Sequence, residues 1–190
     1  RTGGNAMKNQ SSRLLVRAVA ALLLVPVVAL ADSETGLKPG DRTPLFPVSA
    51  VTGPFAGKTL SYVSALQGAP TLIVLVAALE PGDVALLKKA DETLRRFESA
   101  GVKAFGVCLA GQSVAPTLRS LAEQSNWNLP LTVTRGGADD PVCKQCKLNE
   151  KARNTVLITS QNQLVYARQD LSADDFKAVA EALQKLADKK

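Results

Sequence analysis

Three residues in this sequence carry chemistry worth weighing by type and spacing: Cys108, Cys143 and Cys146. The last two form a Cys-x-x-Cys within Asp139-Asp140-Pro141-Val142-Cys143-Lys144-Gln145-Cys146-Lys147. Asp140 is a good helix N-cap and Pro141 fits the first helical position, which puts Cys143 at the third. Cys146 follows at the i,i+3 spacing that sets two side chains on one side of a helix. The helix dipole, Lys144 and Lys147 would lower the Cys143 pKa, while Asp139 and Asp140 would raise it. Such a pair has three uses. It can be a structural disulfide pinning a short helix, a redox pair exchanging disulfides, or a soft-metal site for an ion such as Cu(I). A closed zinc or iron–sulfur site needs four ligands, so neither that metal chemistry nor any cofactor is expected. Cys108 closes an apolar run, where a buried, inert thiol is expected.

The sequence has no His, which removes His general bases, Cys-His nucleophile pairs and His-ligated zinc. Glu80 and Asp83 could act as a carboxylate pair, but a turn with a helix cap explains them better. Trp127 reads as a packing residue. Arg135-Gly136-Gly137 is a turn too short for a phosphate loop.

The elements that must position the thiols begin after an apolar leader. From Met7, Lys8 to Arg13 forms a basic stretch, Ala18 to Leu30 an apolar one, and Ala29-Leu30-Ala31 a small-x-small cleavage pattern. A secretory signal peptide over 1–31 is therefore expected, with a mature start at Asp32. The apolar run is shorter than a bilayer core demands, so membrane contact is expected only through the leader during export. The expected location is the periplasm or the extracellular space. The formal charge of +6 includes Arg1, Lys8, Arg13 and Arg17 of the leader, leaving 19 basic against 17 acidic side chains. A net +2 spread along amphipathic segments, with no basic stripe, gives nucleic-acid binding no support.

Residues 32–38 read as a linker and 39–188 as one domain. Leu45 to Val51 and Lys58 to Val63 flank a Gly/Pro turn and read as an N-terminal β-hairpin. Thr71 to Ala77 and Val102 to Leu109 are continuous apolar runs suited to central strands. A helix with Asp83 as N-cap is expected between them, up to Gly101. Ser113 to Ser125 reads as a helix, Pro130 to Thr134 as a strand, and Asp140 to Asn149 as a short helix. Thr155 to Thr159 and Gln163 to Ala167 pair as a hairpin. A last helix follows, capped by Ser172 with Asp175. Parallel crossovers closed by an antiparallel hairpin and a helix make an α/β sandwich: a mixed central sheet with helices on both faces.

Several strings, in this order, resemble the redoxin branch of the thioredoxin-like superfamily. That branch includes peroxiredoxins of the alkyl-hydroperoxide-reductase and thiol-specific-antioxidant type and exported TlpA-type thiol-disulfide oxidoreductases. Lys38-Pro39-Gly40-Asp41 with Pro44 and Phe46 is similar to the family's opening, and Gly57-Lys58-Thr59-Leu60-Ser61 to its next strand. Gly68-Ala69-Pro70, Gly101 to Val107, Leu129 to Val133 and Asn154 to Ile158 are similar to its core strands. The resemblance implies a thioredoxin-like three-layer sandwich over Leu37 to about Leu186.

Two departures qualify what the resemblance implies. The family's reactive Cys follows the first core strand, yet Ala78-Leu79-Glu80-Pro81-Gly82-Asp83-Val84-Ala85 contains no Cys, Ser or Thr. The family's cis-Pro is replaced by Asn154, where a cis peptide would cost about 2.5–4 kcal/mol. The ordinary catalytic face is therefore missing. In the family's topology the helix carrying Cys143 starts on the same sheet edge as the lost site. The expected function is an exported, catalytically degenerate binding or redox-associated module. The alternative is a thiol-disulfide oxidoreductase using Cys143 and Cys146, with a thiol or disulfide protein as partner.

Overall fold

The apolar run Thr71–Val76 becomes the middle of a seven-stranded sheet, with all six residues buried. The structure, a computed structural model, describes residues 36–149 and 151–188. The leader and its cleavage pattern lie outside the described residues. In chain order the strands are β1 (Val48–Ala50), β2 (Thr59–Leu60), β3 (Thr71–Val76), β4 (Lys103–Cys108), β5 (Leu131–Val133), β6 (Asn154–Ser160) and β7 (Gln163–Gln169). The helices are α1 (Tyr62–Ala65), α2 (Pro81–Phe97), α3 (Ala115–Ser125), α4 (Pro141–Gln145) and α5 (Phe176–Ala187). Across the sheet the order is β2-β1-β5-β4-β3-β6-β7. β4 runs parallel to β3 and β5, whereas β6 is antiparallel to β3 and β7. The expected mixed sheet and N-terminal hairpin are both present.

Strand alternation divides the interior into two cores. Leu72, Val74 and Val76 of β3 and Ala104 and Cys108 of β4 face the side covered by α2, α3 and α5. Ile73, Leu75, Phe105 and Val107 face α1, α4 and the N-terminal residues Leu37 and Phe46. Each large side chain buried this completely contributes roughly 1.5–3 kcal/mol. Gly106 lets α2 come close: a Cβ there would stand 2.8 Å from Leu87 Cδ2.

Several boundaries differ from expectation. The second hairpin arm stops at Leu60, because α1 turns Tyr62 inward to stack on Phe105 at 4.8 Å between ring centroids. Helix α2 begins at Pro81 with Glu80 as N-cap, so Asp83 is the third helical residue rather than the cap. Proline suits a first helical position because it has no N–H to satisfy there. Ser172 and Asp175 do hydrogen-bond, Ser172 N–H at 2.8 Å and its hydroxyl at 2.7 Å, but α5 starts only at Phe176. The expected helix over Asp140 to Asn149 is the shorter α4, ended by a reversal at Lys147.

Candidate functional site

Helix α4 is held by one buried carboxylate. Asp140 Oδ2 accepts from the backbone N–H of Arg135 at 3.0 Å and of Gly136 at 2.8 Å. Its Oδ1 accepts from Val142 N–H at 3.0 Å, the capping bond that the Asp-Pro sequence suggested. Thr134 ties the same loop to the strand ends, its hydroxyl lying 3.2 Å from the Leu109 carbonyl and 3.3 Å from that of Gly137. The route from β5 to Cys143 is thus fixed at both ends.

The far end of α4 is equally defined. Lys147 takes a left-handed conformation, with φ of 46°. Its N–H donates to the Lys144 carbonyl at 3.0 Å, and Leu148 N–H donates to that of Cys143 at 2.9 Å. This is the paired-bond helix stop that usually employs glycine, here built on lysine. The Lys147 carbonyl in turn accepts from Gly36 N–H at 3.1 Å. Gly36 lies so close that a Cβ on it would stand 2.8 Å from Lys147 Cβ. Leu37 is buried in the same core as Val142 and Cys146. Gly36 and Leu37, in the stretch expected to be a linker, are therefore clipped to the end of α4, a contact with no signal in the sequence.

The two thiols of the pair differ sharply. Cys146 is 0 % exposed, and burial first, then the neighbouring Cys143, pushes its pKa up from 9.0 to about 12. Cys143 is half-buried and borders a cleft of about 250 Å³ shared with Ala77, Leu109, Asp139 and Leu148. Ala77 directly follows β3 and Leu109 directly follows β4. The cleft thus opens at the C-terminal ends of the parallel strands, where α/β sheets usually bind ligands. Cys143 stands at the sheet edge that the topology predicts. None of the three cysteines is disulfide-bonded. Among the described residues no group of three or more His, Cys, Asp or Glu is placed to hold a metal ion.

Cys108 lies on the opposite face of the sheet from Cys143 and Cys146. Its Sγ is 3.8 Å from the Ala78 carbonyl, it is buried as expected, and burial raises its pKa. The neighbouring start of α2 is closed by a reciprocal cap. Glu80 accepts from the N–H of Asp83, and Asp83 accepts from the N–H of Glu80 at 3.2 Å. Burial raises the Asp83 pKa, with Arg153 partly opposing it. Glu80 and Asp83 are therefore joined as a cap, which accounts for both carboxylates. Trp127 packs against the α2 side of the core.

Asn154 replaces the family's proline without a cis bond; the described residues contain no cis peptide. Its side chain clamps the strand instead. The Nδ2 group donates to the Leu171 carbonyl and Oδ1 accepts from Leu171 N–H, both at 3.0 Å.

Solved structures share this architecture. A Chlorobium tepidum protein provisionally assigned as the thiol:disulfide interchange protein DsbE matches with a TM-score of 0.62. It is 12% identical and covers 80% of this chain and 99% of its own. Peroxiredoxin Q of Xanthomonas campestris matches with a TM-score of 0.62 at 19% identity, over 80% of this chain and 98% of its own. Peroxidoxin BcpB of Mycobacterium tuberculosis does so with 0.62 at 18% identity, over 78% and 97%. The fold is thioredoxin-like. No family model and no curated protein sequence matches the chain. Within that fold none of the three cysteines is disulfide-bonded, and the start of α2 is closed by a carboxylate cap.

Proposed function

We propose that this redoxin-type domain is a catalytically degenerate binding module, exported to the periplasm or extracellular space, that receives its partner at the C-terminal edge of β3 and β4. One observation carries this reading. The start of α2, where the fold's reactive thiol would stand, has no thiol, and the backbone N–H groups of Glu80 and Asp83 are engaged by each other's carboxylates. An attacking sulfur has nowhere to sit there, and fold without site carries no activity. The partner class is a protein bearing a thiol or disulfide, with no nucleic acid and no membrane contact beyond the leader. The reduced protein, assayed with insulin, glutathione and a hydroperoxide, is expected to give no turnover above a thiol-free control. Fractionation of cells expressing the full sequence tests export; retention of an uncleaved product in the cytoplasm would sink that part.

A second reading is favoured by the position of Cys143 on the cleft. Cys143 would attack a substrate disulfide and Cys146 would resolve the mixed disulfide, making the domain a thiol-disulfide oxidoreductase. The reduction potential of the pair separates the readings, since structural bonds lie below about −300 mV and resist glutathione. Insulin reduction abolished by Cys143→Ser would overturn the non-catalytic reading.

A further inference from the structure

The Cys143–Cys146 pair shares its helix with an unrelated contact, the clip between Gly36 and Lys147. We propose that the pair is a redox-operated latch: closing a Cys143–Cys146 disulfide releases Gly36–Leu37 from the end of α4. The latch is independent of whether the domain turns over any substrate.

Its basis is geometric. Residues three apart on a helix hold their Cβ atoms about 5–6 Å apart. A disulfide requires about 3.5–4.5 Å between Cβ atoms, so bridging these positions draws the two residues together. Cys143 lies on the accessible cleft and leads the reaction, whereas Cys146 is the C-cap residue and is 0 % exposed. Cys146 must therefore do most of the moving. It packs in one core with Val142 and Leu37, and the next residue is Lys147. The Lys147 carbonyl holds Gly36 N–H at 3.1 Å, and a Cβ on Gly36 would stand 2.8 Å from Lys147 Cβ. A contact with so little clearance does not survive a shift of the C-cap. Lys147 also holds φ of 46°, so the reversal has no spare conformational range to absorb that shift.

The oxidant is a low-molecular-weight disulfide. The Cys143 thiolate attacks one of its sulfurs, forming a mixed disulfide and expelling one thiolate. Cys146 leaves the core, gives its proton to solvent and attacks Cys143 Sγ, expelling the second thiolate. Two protein thiols are oxidised and one disulfide is reduced to two thiols.

The test uses the full chain in oxidised or reduced glutathione, with amide hydrogen exchange read residue by residue and the disulfide located by mass spectrometry. Oxidation is expected to form the 143–146 bond and to speed exchange of the Gly36 and Leu148 amides about tenfold or more, as a locally opened segment does. Cys143→Ser should show no response to the oxidant. Gly36→Ala should exchange fast at the amide of position 36 even when reduced, because its Cβ displaces the clip without chemistry. A 143–146 bond that leaves Gly36 exchange unchanged overturns the latch. Failure of the bond to form in oxidised glutathione also overturns it, whatever the turnover assays show.

Discussion

Two helix starts follow the parallel strands β3 and β5, one on each face of the sheet, and they are written in nearly the same syntax. Helix α2 opens Glu80-Pro81-Gly82-Asp83, and α4 opens Asp140-Pro141-Val142-Cys143. Both have an acidic N-cap and proline at the first helical position. They differ at the third, where α2 has a carboxylate and α4 a thiol. In α2 that carboxylate turns back to complete its own cap, so the start is chemically closed. In α4 the cap is completed by Asp140 alone, which leaves the third residue to face the cleft. One side chain thus decides whether a helix start is only a fastening or also presents a reactive group.

The largest test of this contrast removes each cap in turn. Asp140→Ala strands three backbone N–H groups and is expected to cost about 3 kcal/mol, against about 1 kcal/mol for Glu80→Ala, which is exposed. Urea denaturation of the two variants measures both; equal losses would break the contrast. Next in size is an alkaline effect. The buried Cys146 keeps its proton in the folded state to about pH 12, whereas an unfolded cysteine loses it near pH 9. Its contribution is intact below pH 9 and falls by about 1.4 kcal/mol per pH unit above it. Cys146→Ala should lose that share of the slope, read as the dependence of denaturation midpoint on pH.

A smaller effect belongs to α2. Burial holds the Asp83 pKa above its ordinary 3.8, so its contribution is full below that value and declines as pH rises through the folded pKa. Asp83→Asn keeps a cap acceptor and should gain on the parent protein as pH is raised from acid to neutral. Midpoints that shift in parallel would show that the cap bonds outweigh burial. Smallest is Lys147→Gly, which relieves a left-handed lysine and should stabilise by about 0.5 kcal/mol in the same denaturation assay.

Much of the fold was legible because β3 and β4 are long, unbroken apolar runs and the order of elements is distinctive. The α4 start was legible too, since Asp140 and Pro141 each have one strong local preference. The α2 start was misplaced because Asp83 is a fair N-cap, and only Pro81 betrays that the helix begins three residues earlier. Helix α1 was hidden in Lys58 to Val63, where Thr59, Tyr62 and Val63 favour strand until Tyr62 finds Phe105. The depth of Cys146 was not legible. A five-residue helix is too short to display which face it buries, so spacing placed the thiols on one side without saying which would be sealed. The Gly36 clip joins residues more than a hundred positions apart and leaves no local pattern.

The sheet itself sorts the three thiols, one on the α2 side and two on the α4 side. That partition gives the protein a built-in gauge. A thiol-specific dye should label Cys143 on the intact fold, whereas Cys108 should stay dark until the strands separate. Two labelling rates in one molecule would then report surface chemistry and global opening at once, with no added probe.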